Sequence, residues 1–221
     1  MIQSRTTGAV SWELASEKLS RLVVLTMIPV DEFYVDNDRF PGALVFAESC
    51  RIFLSGKEVE VVRHRSGAFL LQNYPEGTYE LEARAPGFLP FRQEVEISKT
   101  RTLTFRTQMI PSVDYPLPSY VPYIKGRMIV DGTEDLPEPV AIEGVKIEAN
   151  ETKNSDPVRN EATFSDENGC FILYFKNFNI DKQTIQIRAT HTLYRTQTRT
   201  NVLKATDREE ISPFKMEPKS G

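Results

Sequence analysis

The stretch Ser165-Asp166-Glu167-Asn168-Gly169 sets two carboxylates and a carboxamide ahead of a glycine, a grouping that could ligate a hard cation or turn a β-hairpin. Calcium takes six or more oxygens, usually from acidic residues alternating along a loop, and here the polar run stops after three residues. A hairpin tip needs only short polar side chains that bond their own backbone and a glycine at positive φ. The stretch therefore reads as a turn. Two histidines, His64 and His191, lie in different halves, and neither sits beside a nucleophile, a glycine-rich phosphate loop or a second zinc ligand. The 31 acidic residues always allow some pair of carboxylates, which keeps a hydrolase as a third reading. No catalytic, metal-binding or cofactor-binding residue is assigned, no cofactor is expected, and the chain reads as a non-enzyme.

Composition narrows the partners. The 221 residues carry a formal charge of −4, with no basic field able to hold a polyanion, so nucleic acid is not expected. Arg63-His64-Arg65 is one small basic knot, read here as a solvated strand end. Cys50 and Cys170 stand far apart, which is not a disulfide framework, and Cys170 is expected to pack as a small hydrophobe. The first residues lack the pattern of a secretory signal, and no apolar run of 18 residues occurs, so membrane insertion is not expected and a cytoplasmic location is.

Stepping along the chain, residues 11–20 offer Ser11 as a cap and Leu14, Ala15 and Leu19 at helical spacing, hence one short amphipathic helix in an N-terminal arm. Its Trp12 packs onto the following domain or anchors the arm on a partner. From Leu22 the period becomes that of strands, in seven segments rich in Val, Ile, Thr, Phe and Tyr that include EVEVVRH at 58–64. Seven strands with turn signals about every ten residues describe a sandwich. Pro111, Pro116, Pro118 and Pro122 then favour an extended, stiff connector. The expected division is an arm at 1–20, a first β-sandwich at 21–109, a linker at 110–120 and a second β-sandwich at 121–217.

The second half repeats the first. Gly42 and Gly67 are 25 residues apart, as are Gly144 and Gly169, and one offset of 102 relates the pairs. Ala68-Phe69-Leu70-Leu71 answers to Cys170-Phe171-Ile172-Leu173, and YELEARAPGF to IQIRATHTLY. Repetition at this length indicates a duplicated domain. The order Gly42, Ala43, Val45; Gly67, Phe69; Pro75, Gly77, Tyr79, Leu81, Ala83, Ala85, Gly87, Phe88 resembles the signature of the carboxypeptidase regulatory-like domain. That resemblance implies an all-β fold of two tandem seven-stranded transthyretin-like, Ig-like sandwiches. The first copy departs in having Arg65-Ser66 before Gly67, and the second in lacking the Pro-x-Gly before its penultimate strand. Residues 79–88 also look similar to the mark of a cell-surface family that forms a lysine–asparagine cross-link. Glu82, however, falls one position early, which aims it at the opposite sheet face, and the first strand has no lysine.

Loop aromatics are the remaining handle on function. Trp12, Phe33, Tyr34, Tyr115, Tyr120 and Tyr123 are candidate partner contacts, for proteins or sugars, and equally could seal the sandwich ends. The expected role is a structural or adaptor protein within a multiprotein assembly, with a phage-like or contractile-tail particle as one setting proposed by analogy. A carbohydrate-binding or adhesion module of a surface protein is the alternative.

Overall fold

Strands dominate the computed structural model, which describes residues 22–35, 49–132, 138–153, 156–176, 183–204 and 207–219. The arm with Trp12, and Phe40 and Gly42, lie outside the described residues. In the first half, β1 (Val23–Asp31) pairs with β5 (Phe69–Gln72) and, in parallel, with β8 (Leu103–Met109), while β4 (Val62–Arg63) edges β5. The facing sheet runs β3 (Lys57–Glu58), β2 (Arg51–Leu54), β6 (Gly77–Arg84), β7 (Phe91–Ile97). Between them lies a core that includes Met27, Ile52, Leu54, Phe69, Leu71, Leu81 and Ile97.

The second half repeats this plan. β9 (Tyr123–Val130) pairs with β10 (Val140–Ala141), with β13 (Cys170–Tyr174), and in parallel with β16 (Arg208–Glu210) and β17 (Phe214–Lys215). Across the core lies the sheet β12 (Asp156–Phe164), β11 (Lys146–Lys153), β14 (Gln183–Thr190), β15 (Gln197–Leu203). The fold is all-β, and each half has its own sandwich and core.

One expected element differs, and one further strand is interrupted. EVEVVRH does not form one strand: Glu58 ends β3 in one sheet and Val62 begins β4 in the other. Val59 turns into the core between them, and its N–H still reaches Ile52 O at 3.0 Å, so the chain crosses the sandwich edge here. The last strand of the second sandwich is also split in two, around Ile211-Ser212-Pro213. Pro213 has no N–H to give a ladder.

The repeat holds at the level of single hydrogen bonds. At the tip of 63–68, His64 N–H donates to Ala68 O at 2.8 Å and Gly67 N–H to His64 O at 2.9 Å; 102 residues on, Asp166 N–H donates to Cys170 O at 2.8 Å and Gly169 N–H to Asp166 O at 2.9 Å. Side chains match too: the Asp166 carboxylate takes Asn168 N–H at 2.9 Å, and His64 Nδ1 takes Ser66 N–H at 3.2 Å. Phe69 and Phe171 follow, 4% and 1% exposed. A second repeated device closes each sandwich. Leu89 N–H reaches Ile110 O and Ser112 N–H reaches Gly87 O; in the second half Arg195 N–H reaches Glu217 O and Lys219 N–H reaches Leu193 O.

Gly169 has φ +73°, and a Cβ there would stand 2.4 Å from Met128 O; Gly144 has φ +74° with open space around it. Gly144→Ala should therefore cost only the left-handed backbone term, about 1–2 kcal/mol, and Gly169→Ala clearly more. Chemical denaturation of the two variants checks the order. Phe171→Ala should cost about 3–5 kcal/mol in the same measurement.

Candidate functional site

A third, smaller core lies where the two sandwiches meet. β1 ends at Asp31, and one helical turn, α1 (Glu32–Val35), carries Phe33 inward to 0% exposure. Asp31 Oδ1 accepts Phe33 N–H at 2.9 Å, which starts the turn in the manner of a helix cap. Around the Phe33 ring stand Tyr34 at 5.0 Å edge-to-face, Tyr174 at 5.5 Å and Tyr115 at 5.9 Å between centroids. Val121 and Tyr174 are buried with it, and Leu117 and Tyr123 pack alongside. These groups come from the first sandwich, the 110–120 segment, and Val121, β9 and β13 of the second.

The polar groups at this core bond each other. Tyr115 donates its hydroxyl to Asp31 Oδ2 at 2.5 Å, Tyr174 donates its own to the Glu32 carboxylate, and Lys176 Nζ reaches Glu32 O at 2.9 Å. Burial pushes the Asp31 carboxyl above its usual range, against the pull of the Tyr115 and Phe33 donors. Burial likewise raises the Tyr115 and Tyr174 phenols, helped by the neighbouring carboxylates, so both stay protonated donors.

The proline-rich segment is held from both sides and is not a free connector. Pro111 bridges Phe88 in the first sandwich, and Phe88 meets Tyr115 edge-to-face at 5.2 Å. Gly87, at φ +79°, lets Tyr115 Cα approach to 3.4 Å of where a Cβ would stand. From the second sandwich, Lys125 donates to Val113 O, Arg208 to Pro118 O at 2.7 Å, and Phe175 N–H to Pro122 O at 3.0 Å.

A second contact lies beside the first. Glu82, on the outer face of β6, takes Arg84 at 2.8 Å and Arg92 at 3.2 Å, and Arg92 reaches Glu143 of the second sandwich at 2.9 Å. Arg84 also stacks on Phe53, 4.8 Å from its centroid. Burial pushes the Glu82 carboxyl up, but the two guanidinium groups outweigh it and hold it below the usual range. Arg84, Arg92, Asp114 and Glu143 line a cleft of about 310 Å³ whose far wall is the Asp166-Glu167-Asn168 tip. That tip turns the chain and also faces the other sandwich.

The sequence candidates divide accordingly. Phe33, Tyr34, Tyr115 and Tyr123 are brought together at the junction, where Phe33 has no surface left to offer a partner. Tyr120 remains 49% exposed, and Trp12 lies outside the described residues. Reading the sequence alone misses Asp31, Glu32, Glu82, Arg92, Glu143 and Tyr174. Cys170 is half-buried, and burial takes the Cys50 thiol to about 11. Leu81 and Ala83 point into the core while Glu82 points away from it, the face that the one-residue offset implies.

No family model matches the chain, that of the carboxypeptidase regulatory-like domain included. No curated protein matches it either. Similar solved structures include the Bacillus anthracis TIE protein, 12% identical over 90% of this chain and 34% of that one, with a TM-score of 0.32. The minor pilin GBS52 of Streptococcus agalactiae is 10% identical over 89% of this chain and 96% of that one, TM-score 0.28. A mutant of the shaft pilin SpaA from Lactobacillus rhamnosus GG is 12% identical over 90% and 97%, TM-score 0.29. The chain spans about a third of the length of the first of these. At such scores the likeness says nothing of activity or partners.

Tyr115→Phe should raise the Asp31 carboxyl further by removing a donor to its charged form, and cost about 1–3 kcal/mol. Carboxyl-carbon NMR titration reads the first and denaturation the second. Glu82 titrates in the opposite sense. Because its folded value is depressed, its contribution is present above the unfolded value of about 4.3 and is lost as pH falls through the folded value. The melting-temperature gap between wild type and Glu82→Gln should therefore be full at neutral pH and close below about pH 4.

Proposed function

We propose that the chain is a non-catalytic structural module, two sandwiches set at one angle that act as an adaptor between protein partners in a larger assembly. The observation that carries this reading is the junction. A linker bonded from both sides, with one ring from the first sandwich enclosed by side chains of the linker and the second, gives the orientation that a spacer or adaptor must keep. Domains in one chain ordinarily move unless their interface is apolar and well filled, and Phe33 fills this one.

The aromatic rings there stand edge-to-face or tilted and are largely covered, a geometry better suited to holding two domains than to presenting a flat platform to a sugar. The adjacent carboxylates Asp31 and Glu32 accept tyrosine hydroxyls at this core, which weighs against a hydrolase reading for this pair. Two free thiols suit a reducing, intracellular setting, and kinship with the carboxypeptidase regulatory-like domain is kept as part of the proposal on its motif residues.

The test is a pair of spin labels at the exposed positions Thr104 and Thr200, read by pulsed dipolar spectroscopy. A rigid adaptor gives one narrow distance distribution, and Phe33→Ala broadens it while both sandwiches keep their own cores. A broad distribution in the wild type removes the basis for the reading.

A further inference from the structure

We propose that the hairpin tip of the first sandwich, Arg63-His64-Arg65-Ser66, is a docking contact for an acidic surface of a partner protein. The inference rests on the structural-module reading and adds the chemistry of one partner.

The two hairpin tips are equivalent in fold. Each is closed by the same pair of backbone hydrogen bonds, and the side chain at the first position caps the residue two further on in both. In the second sandwich this tip is where the neighbouring sandwich is met. Asp166, Glu167 and Asn168 line the same cleft as Arg84 and Arg92 of the first sandwich. In this copy an acidic tip thus stands across a cleft from two arginines of the domain that precedes it.

At the equivalent place the first sandwich carries the opposite charge. Arg63, His64 and Arg65 are all exposed. Arg63 rests its guanidinium over the Phe69 ring at 5.1 Å, and His64 Nδ1 contacts Ser66 Oγ at 2.8 Å. No carboxylate pairs with Arg63 or Arg65 among the described residues. A cationic tip at the position that meets a preceding sandwich calls for an acidic surface opposite it, since like charges there would repel.

A second copy of this chain does not supply that surface. The strand pairing that sets Glu82 beside Arg92 in the first sandwich sets Arg188 beside Thr198 in the second, 106 residues on. The outgoing end of the second sandwich therefore has Thr190 and Thr198 in place of Arg84 and Arg92, and Arg188 in place of Glu82. Arg195 and Lys219 stand nearby, with Glu217 as the acidic group paired to Arg195. Head-to-tail stacking would bring basic groups together, which disfavours a second copy as the occupant.

The experiment uses the full isotope-labelled chain and, as probe, an octaglutamate peptide at low ionic strength, followed by amide chemical shifts. Shifts confined to residues 62–70 and an affinity lowered about tenfold in Arg63→Glu/Arg65→Glu, equal to about 1.4 kcal/mol, support the proposal. The control Lys57→Glu/Arg106→Glu makes the same change in net charge at other exposed positions and should retain binding. Equal loss in both variants, shifts mapping elsewhere, or no binding overturns the proposal. A double-stranded DNA oligonucleotide is the remaining arm, and tighter binding of it at the same tip overturns the assignment to an acidic protein. The narrow inter-sandwich distance tested above is independent of all these results, so a failed tip leaves the module reading standing.

Discussion

The enclosure of the Phe33 ring is the constraint through which the two sandwiches are oriented. A single helical turn has no stability of its own, because nucleating it fixes several backbone torsions for one or two hydrogen bonds. Here Asp31 catches the Phe33 amide, the turn closes, and the ring enters a space walled by Tyr34, Tyr115 and Tyr174. Those walls belong to three separate segments of chain. Withdrawing any one exposes the ring to water, so the turn, the linker and β13 are stabilised together.

Polar groups at the junction set direction more than strength. Asp31 is 3% exposed, and such a position penalises its charge, yet two donors aimed at its oxygens make the charge tolerable. The tyrosine hydroxyls must point at Asp31 and Glu32 or leave a buried acceptor unmet, which allows one relative placement of the sandwiches and disfavours its neighbours. The outer chain of charges from Arg84 through Glu82 and Arg92 to Glu143 is half-exposed at its ends. Single pairs of this kind contribute little, but the chain ties β6 and β7 to the second sandwich at a point away from Phe33. Two separated contacts resist rotation better than one.

The two sandwiches share a backbone plan and differ in their side chains. The tips around Gly67 and Gly169 make the same backbone bonds with an imidazole in one and a carboxylate in the other, because the turn needs only an acceptor at that point. Charge at the tip can therefore differ in sign between the two. In the second copy it faces the arginines of the first; in the first copy it faces outward. Gly87, which lets the linker pass close, has Leu193 at the corresponding place, 68% exposed.

Alternating apolar residues, the spaced glycines and the offset of 102 were enough to read two sandwiches and the turn at Asp166, because strand period and left-handed turns depend on residues near each other in the chain. Strand ends were less legible: EVEVVRH alternates like one strand, and only the need to cross from one sheet to the other breaks it. The aromatic residues were visible as a set, but their partners were not. Phe33 and Tyr174 are 141 residues apart and Asp31 and Tyr115 are 84 apart, and no local pattern marks Asp31 as buried or Glu82 as held between two arginines. The sequence marked the aromatic residues as candidate contacts; the packing of one sandwich against the other decided which of them are covered, because burial at a junction depends on both surfaces at once.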